Sequence, residues 1–74
     1  SIEYNAQDGT VTAHLAATAK NAKLEIVSAN GAETCTATGT DCNSITADIS
    51  SLGRGTYVCR ITADGKSVTR KIVK

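Results

Sequence analysis

Chemistry in a protein needs nucleophiles, bases, metal ligands or concentrated charge, and this chain offers few of them. It has three cysteines, Cys35, Cys42 and Cys59, and one histidine, His14. Zinc centres draw four Cys, His or carboxylate ligands, commonly with paired cysteines a few residues apart. No cysteine pair has that spacing and one histidine cannot complete the set, so no metal centre is expected. A hydrolytic triad needs a nucleophile, a base and an orienting group that meet in space. Cys59 with His14 and an aspartate is the only set available, and Cys59 lacks the electropositive, accessible setting that activates a thiol. His14 falls on the outward parity of its strand, where a solvent-facing polar residue needs no special role. The acidic residues Glu3, Asp8, Glu25, Glu33, Asp41, Asp48 and Asp64 are scattered. Most sit in turns, where aspartate supports backbone hydrogen bonds. No glycine loop opens a helix to cradle phosphate. The expectation is a protein that is not an enzyme and carries no cofactor.

Cys35 and Cys42 flank Gly39-Thr40-Asp41, which reads as a loop. Two readings stay open for the pair. They form a disulfide across that turn if the compartment is oxidising, or they are two ordinary small strand residues. Cys59 shares strand parity with Tyr57 and Ile61 and reads as a buried free thiol.

The elements that position these residues are strands. The chain has 74 residues, with no Phe, Trp, Met or Pro, and only Tyr4 and Tyr57 as aromatics. One small domain covering 1–74 is expected, with a core of Ile, Val, Leu, Ala and Cys. The sequence starts at Ser1 and reads as a piece of a longer protein whose own start and signal peptide lie elsewhere. No apolar run approaches the roughly 18 residues of a membrane-spanning helix. Alternating Thr-, Val- and Ile-rich runs separated by turn pairs predict an all-β fold, a compact Ig-like β-sandwich of about seven antiparallel strands. The runs are Ser1 to Asn5, Thr10 to Leu15, Ala22 to Ser28, Ala32 to Ala37, Ser44 to Ile49, Thr56 to Ala63 and Lys66 to Val73. Ala16 to Asn21 reads as a loop, too short to nucleate a helix. Asp8-Gly9, Asn30-Gly31 and Asp64-Gly65 are the hairpin turns, Asp64-Gly65 the clearest of them. Leu52 plugs the corner ahead of Gly53 and Gly55, and Tyr57, Cys59 and Ile61 face inward.

What remains is charge. The net charge is +1, too balanced for capture of nucleic acid or anionic lipid, and no aromatics interleave the basic residues. The basic residues gather at the end, as Lys66, Arg70, Lys71 and Lys74. Charge on a terminal edge strand discourages aggregation. The same strand is also suited to capture by a partner. Arg70 shares the parity of Val68 and Ile72. It either reaches the rim with its head in water, or a bulge breaks the register.

Three blocks in order resemble the type A C-terminal sorting domain of the type IX secretion system of Bacteroidetes. They are Leu24-Glu25-Ile26-Val27 followed by Asn30-Gly31; Ile49-Ser50-Ser51-Leu52 with Gly55-Thr56-Tyr57-Val58 and Arg60-Ile61; and Gly65-Lys66-Ser67-Val68 with Arg70-Lys71-Ile72-Val73-Lys74. The resemblance covers Ala22 to Lys74. Ser1 to Asn21 lacks the proline-containing opening common in the family, and Cys59 stands where the family usually has an aliphatic residue. The resemblance implies a secretion signal on a cargo protein, passing through the periplasm to the outer membrane and on to the cell surface or the medium. Its implied partners are the outer-membrane translocon, a sortase-like peptidase that cleaves the domain off, and an upstream cargo domain. It places translocon recognition at Lys66, Lys71, Ile72, Val73 and Lys74, and the structural motif at Leu52, Gly55, Tyr57 and Gly65. Removal of Lys71 to Lys74 is then expected to block export while the rest still folds. The alternative is an Ig-like binding or structural accessory module of a secreted enzyme or adhesin. An edge-strand homodimer is compatible with either.

Overall fold

Period-two alternation of apolar and polar residues makes extended chain the only conformation that sorts them onto opposite faces. The computed structural model describes Ser1 to Lys74 and contains no helix. It has five strands: β1 (Ile2–Asn5), β2 (Thr10–Ser28), β3 (Thr34–Asp48), β4 (Thr56–Ala63) and β5 (Lys66–Val73). All pairings are antiparallel. The order is β1-β2-β4-β5, with β3 on the other side of β2. The first half of β2 lies between β1 and the end of β3, and the second half between β4 and the start of β3.

Five strands replace the expected seven because two breaks in the pattern are bends and not loops. In β2 the pairing with β3 jumps from His14↔Ser44 to Ala19↔Cys42. Leu15 to Thr18 therefore bulge opposite Asn43 alone, which turns the strand without ending it. In β3 the expected loop at Gly39-Thr40-Asp41 is continuous strand, bent where Asp41 takes a φ of 49°. Aspartate tolerates that left-handed conformation better than most residues. The β2 bulge also resets the side-chain phase: the odd Val11 and Ala13 before it and the even Ala22, Leu24 and Ile26 after it are all buried.

The bent strands fold the sheet over itself. The Cys35 thiol, near the start of β3, donates to the carbonyl of Asp48 at its end, 3.7 Å away. A straight strand would hold residues so spaced about 43 Å apart, at about 3.3 Å per residue. The product is one curled antiparallel sheet, closer to a half-barrel than to the two separate sheets of an Ig-like sandwich. Fourteen residues form its core, with Tyr57 and Leu24 the largest side chains fully enclosed. Tyr57, Cys59 and Ile61 face that core from β4.

Of the predicted turns, Asp64-Gly65 is a two-residue hairpin with positive φ at both positions, 48° and 86°. The Asp8-Gly9 turn is longer than a two-residue hairpin, since β1 ends at Asn5 and β2 begins at Thr10. The side-chain oxygen of Asn5 accepts the backbone N–H groups of Gln7 and Asp8 and organises that wider loop.

Candidate functional site: the β4–β5 hairpin and its corner

β5 is an edge strand, paired with β4 alone, and its register is unbroken from Thr56↔Val73 to Ala63↔Lys66. No bulge intervenes, so Arg70 reaches the rim: it lies opposite Cys59 and is exposed. The even residues Lys66, Val68, Arg70 and Ile72 share the face of Ala63, Ile61, Cys59 and Tyr57. Only Ile72 is covered; Val68 is 59% exposed, because the sheet curls over the core without reaching the middle of β5. The odd residues Ser67, Thr69, Lys71 and Val73 face outward and are exposed.

The backbone divides in the same way. Gly55 and Lys74 exchange both hydrogen bonds, at 3.2 and 2.8 Å, one pair beyond the end of the ladder. Because bonded and non-bonded pairs alternate in antiparallel ladders, the even residues of β5 spend their N–H and C=O groups on β4. Those of Ser67, Thr69, Lys71 and Val73 point to the free edge. Gly55 makes its pair with a φ of 149°, which a side chain would strain.

Asp64 ties the hairpin to the rest of the sheet. Its carboxylate accepts the backbone N–H groups of Lys20 and Asn21, each at 3.0 Å, just past the β2 bulge. Those donors, Asn21 foremost, hold the Asp64 carboxyl below the usual carboxylate range. The far end of β5 is tied by Lys74. Its ammonium donates to the carbonyls of Ile49 (2.7 Å), Ser50 (3.3 Å) and Leu52, gathering the backbone acceptors of the corner between β3 and β4.

Tyr57 closes the same corner from below. Its hydroxyl lies 2.6 Å from a Glu33 carboxylate oxygen and 2.6 Å from the Gly53 carbonyl, one proton shared by two acceptors. The Gly53 N–H donates to Glu33 in turn, at 3.1 Å. The Tyr57 hydroxyl, then Gly53, then the positive Lys74 hold Glu33 below the usual carboxylate range. The bond to Glu33, burial and the Glu33 charge push Tyr57 up to about 12. Asp48, at the start of the corner, is likewise held low, by Ser50 first.

The residues expected to act in recognition therefore separate. Lys66, Lys71 and Val73 are exposed, Val73 by 70%. Ile72 lies in the core and the Lys74 ammonium is engaged within the chain. Leu52 packs against the core from the corner that the Tyr57 hydroxyl ties to Gly53; Gly55 starts the β4–β5 ladder and Gly65 turns it. Cys35 and Cys42 lie on one strand with no turn between them, and all three cysteines are free thiols. Cys59 is fully enclosed, and burial pushes its thiol up to about 11. His14 is exposed on the outward face of β2, 3.5 Å from Glu3. Sequence reasoning missed Glu33 and the engaged ammonium of Lys74. Both act on partners twenty or more positions away, and no local pattern announces such contacts.

A strand-built domain with an unpaired basic edge and no catalytic cluster matches a known group. A family model described as the secretion system C-terminal sorting domain matches residues 5–74. The chain belongs to this family. The match takes in the end of β1 and all of β2, a longer stretch than the Ala22–Lys74 motifs alone. No curated protein and no solved structure gave a match. The sorting domain is a signal for type IX secretion, and its family is one of addresses and not of enzymes. Its site is accordingly a surface that the secretion machinery meets. In this sorting domain the most exposed strand outside the core is β5.

Proposed function

We propose that this domain directs an attached, folded cargo from the periplasm through the outer membrane by the type IX system. A sortase-like peptidase then removes it as the cargo is anchored at the cell surface or released. Family membership over residues 5–74 carries the reading. The geometry supports a division of labour within the tail. Ile72 and Lys74 hold β5 in place, while Lys66, Lys71 and Val73 face the translocon. A fold that needs nothing from its cargo suits a tag that must work on unrelated proteins.

The test is export of a periplasmic reporter fused ahead of Ser1, in a bacterium with a working type IX system. The unaltered domain carries the reporter to the surface or medium. Lys71→Glu with Val73→Ser leaves it in the periplasm, with an unchanged melting curve for the isolated domain. Reporter that leaves equally well when the translocon gene is deleted would falsify the sorting reading. Normal export by the double variant would remove Lys71 and Val73 from the recognition surface.

A further inference from the structure

The free edge of β5 is the only cationic edge of the sheet. Lys66, Arg70 and Lys71 are all exposed there, and the strand has no acidic residue. The next cation inward, Arg60 on β4, lies opposite Glu25 in the same row of the sheet, and Glu25 also pairs with Lys23 at 3.9 Å. The carboxylate in the turn that opens β5, Asp64, is spent on the N–H groups of Lys20 and Asn21. The other unpaired edges differ: β1 carries Glu3, and β3 carries only Asp41 and Asp48 as charges. Below the β5 cations lies apolar surface that nothing covers. Val68 stands between Lys66 and Arg70 on the core side, and a groove runs from it to Ile61, Ala63 and Leu15.

We propose that the β5 edge accepts an added strand from its partner, and that this strand is acidic, with an acidic–x–apolar–x–acidic alternation. The inference rests on the sorting reading and specifies the chemistry of the partner at that surface. Ser67, Thr69, Lys71 and Val73 present their unpaired N–H and C=O groups as the template for such a strand. Cross-strand neighbours on each face then set its sequence. An antiparallel strand places acids opposite Lys66, Arg70 and Lys71 and apolar residues opposite Val68 and Val73. The inward apolar residue also shields the groove beside Val68. A second copy of this chain is a poor occupant, because β5 against β5 collects two sets of the same three cations on one short ladder. Like charges so placed are destabilising.

The test uses the 74-residue chain and the peptide Val-Thr-Glu-Glu-Thr-Val-Thr-Glu, written to pair antiparallel with Lys66–Val73. The readout is amide NMR. The N–H signals of Ser67, Thr69, Lys71 and Val73 shift and gain protection from exchange, while those of Val68, Arg70 and Ile72, already bonded to β4, move little. Replacing each Glu of the peptide with Lys weakens binding roughly tenfold or more, the scale of three exposed ion pairs acting together. So does about 1 M salt, where the screening length falls to about 3 Å. The variant Arg70→Glu with Lys71→Glu reverses the preference between the two peptides. Equal response to acidic and basic peptides, shifts at β1 or β3 instead, or shifts with anionic phospholipid vesicles but not with the peptide would each overturn the proposal. A domain that still sorts its reporter while ignoring the peptide would overturn this inference alone and leave the sorting reading standing.

Discussion

Deleting the last four residues is the obvious way to ask whether a tail is a signal, and here it will mislead. The segment Lys71 to Lys74 contains a core residue and a clasp. Ile72 is 8% exposed, and truncating such a residue to alanine costs about 2–5 kcal/mol. The Lys74 ammonium serves three corner carbonyls; a hydrogen bond to a charged group contributes about 1.5–3 kcal/mol net. A domain of this size has roughly 4–11 kcal/mol of stability in all, at about 0.05–0.15 kcal/mol per residue. Losing both residues removes an amount comparable with the whole. A truncated domain that fails to export its cargo has then failed to fold first.

Point variants separate the two roles. Lys74→Met keeps the length of the side chain and removes its charge, and should cost about 2 kcal/mol. For a chain this short, that lowers the melting temperature by roughly 8–16 °C. Ile72→Ala should cost at least as much. Val73→Ser, at an exposed position, should stay within about 0.5 kcal/mol of the unaltered domain. Urea unfolding followed by far-UV circular dichroism gives all three values. Lys74→Met melting together with Val73→Ser would refute the clasp, and a truncation at Arg70 with a native midpoint would refute the whole argument.

Four further outcomes follow from the same geometry. A thiol reagent at neutral pH should label Cys35 and Cys42, which are half-buried, and reach Cys59 only in denaturant; prompt labelling of all three in the folded domain contradicts the enclosed Cys59. Glu33, Asp48 and Asp64 have folded pKa values below their unfolded ones, so their stabilisation is complete above the ordinary carboxylate range, about pH 4 to 5, and drains away as pH falls through the lowered values. Since the Tyr57 hydroxyl is the main cause at Glu33, Tyr57→Phe should both lower the melting temperature and flatten that acid limb; an unchanged slope contradicts the assignment. Asp64→Asn should speed hydrogen exchange at the Lys20 and Asn21 amides, seen by NMR, with the far end of the hairpin unaffected. Finally, the swap Lys71→Ile with Ile72→Lys preserves composition but buries an unpaired charge, and should abolish both fold and export; export surviving it would mean the tail is read as an unfolded peptide.

The strands and the last turn were legible because they rest on local rules. Period-two alternation marks Val11–Ala13, Leu24–Ile26 and Tyr57–Ile61, and Asp64-Gly65 supplies both positive φ angles of its turn. The bends were not legible. Leu15-Ala16-Ala17-Thr18 carries no turn residue at all, yet it bulges because β3 offers one residue where β2 has four. Gly39-Thr40-Asp41 has the composition of a loop, and the ladder to β2 keeps it in the sheet. Asn5, read only as a strand end, takes over the first turn with its side chain. At the site, the exposure of β5 could be read from its charges. The corner could not, since Tyr57 meets Glu33 and Lys74 meets Ile49 only after the sheet has curled.

The division of labour in β5 follows from strand geometry and needs no special device. Alternation sends every second side chain to the other face, and the antiparallel ladder sends every second pair of backbone groups to the other edge. In β5 the two alternations are in phase. Residues that bond to β4 also carry the side chain that enters the core, at Ile72, or closes the corner, at Lys74. Residues whose backbone is free also carry the outward side chains. Near the corner, from Lys71 to Lys74, holding and displaying are therefore sorted by parity, while farther out the even Lys66, Val68 and Arg70 bond to β4 through the backbone and leave their side chains exposed. A change at an even position near the corner is expected to act through stability, and a change at an odd position through recognition. That rule also explains why composition alone is a poor guide to the tail: Lys71 and Lys74 are the same residue three positions apart, with opposite parity and opposite work.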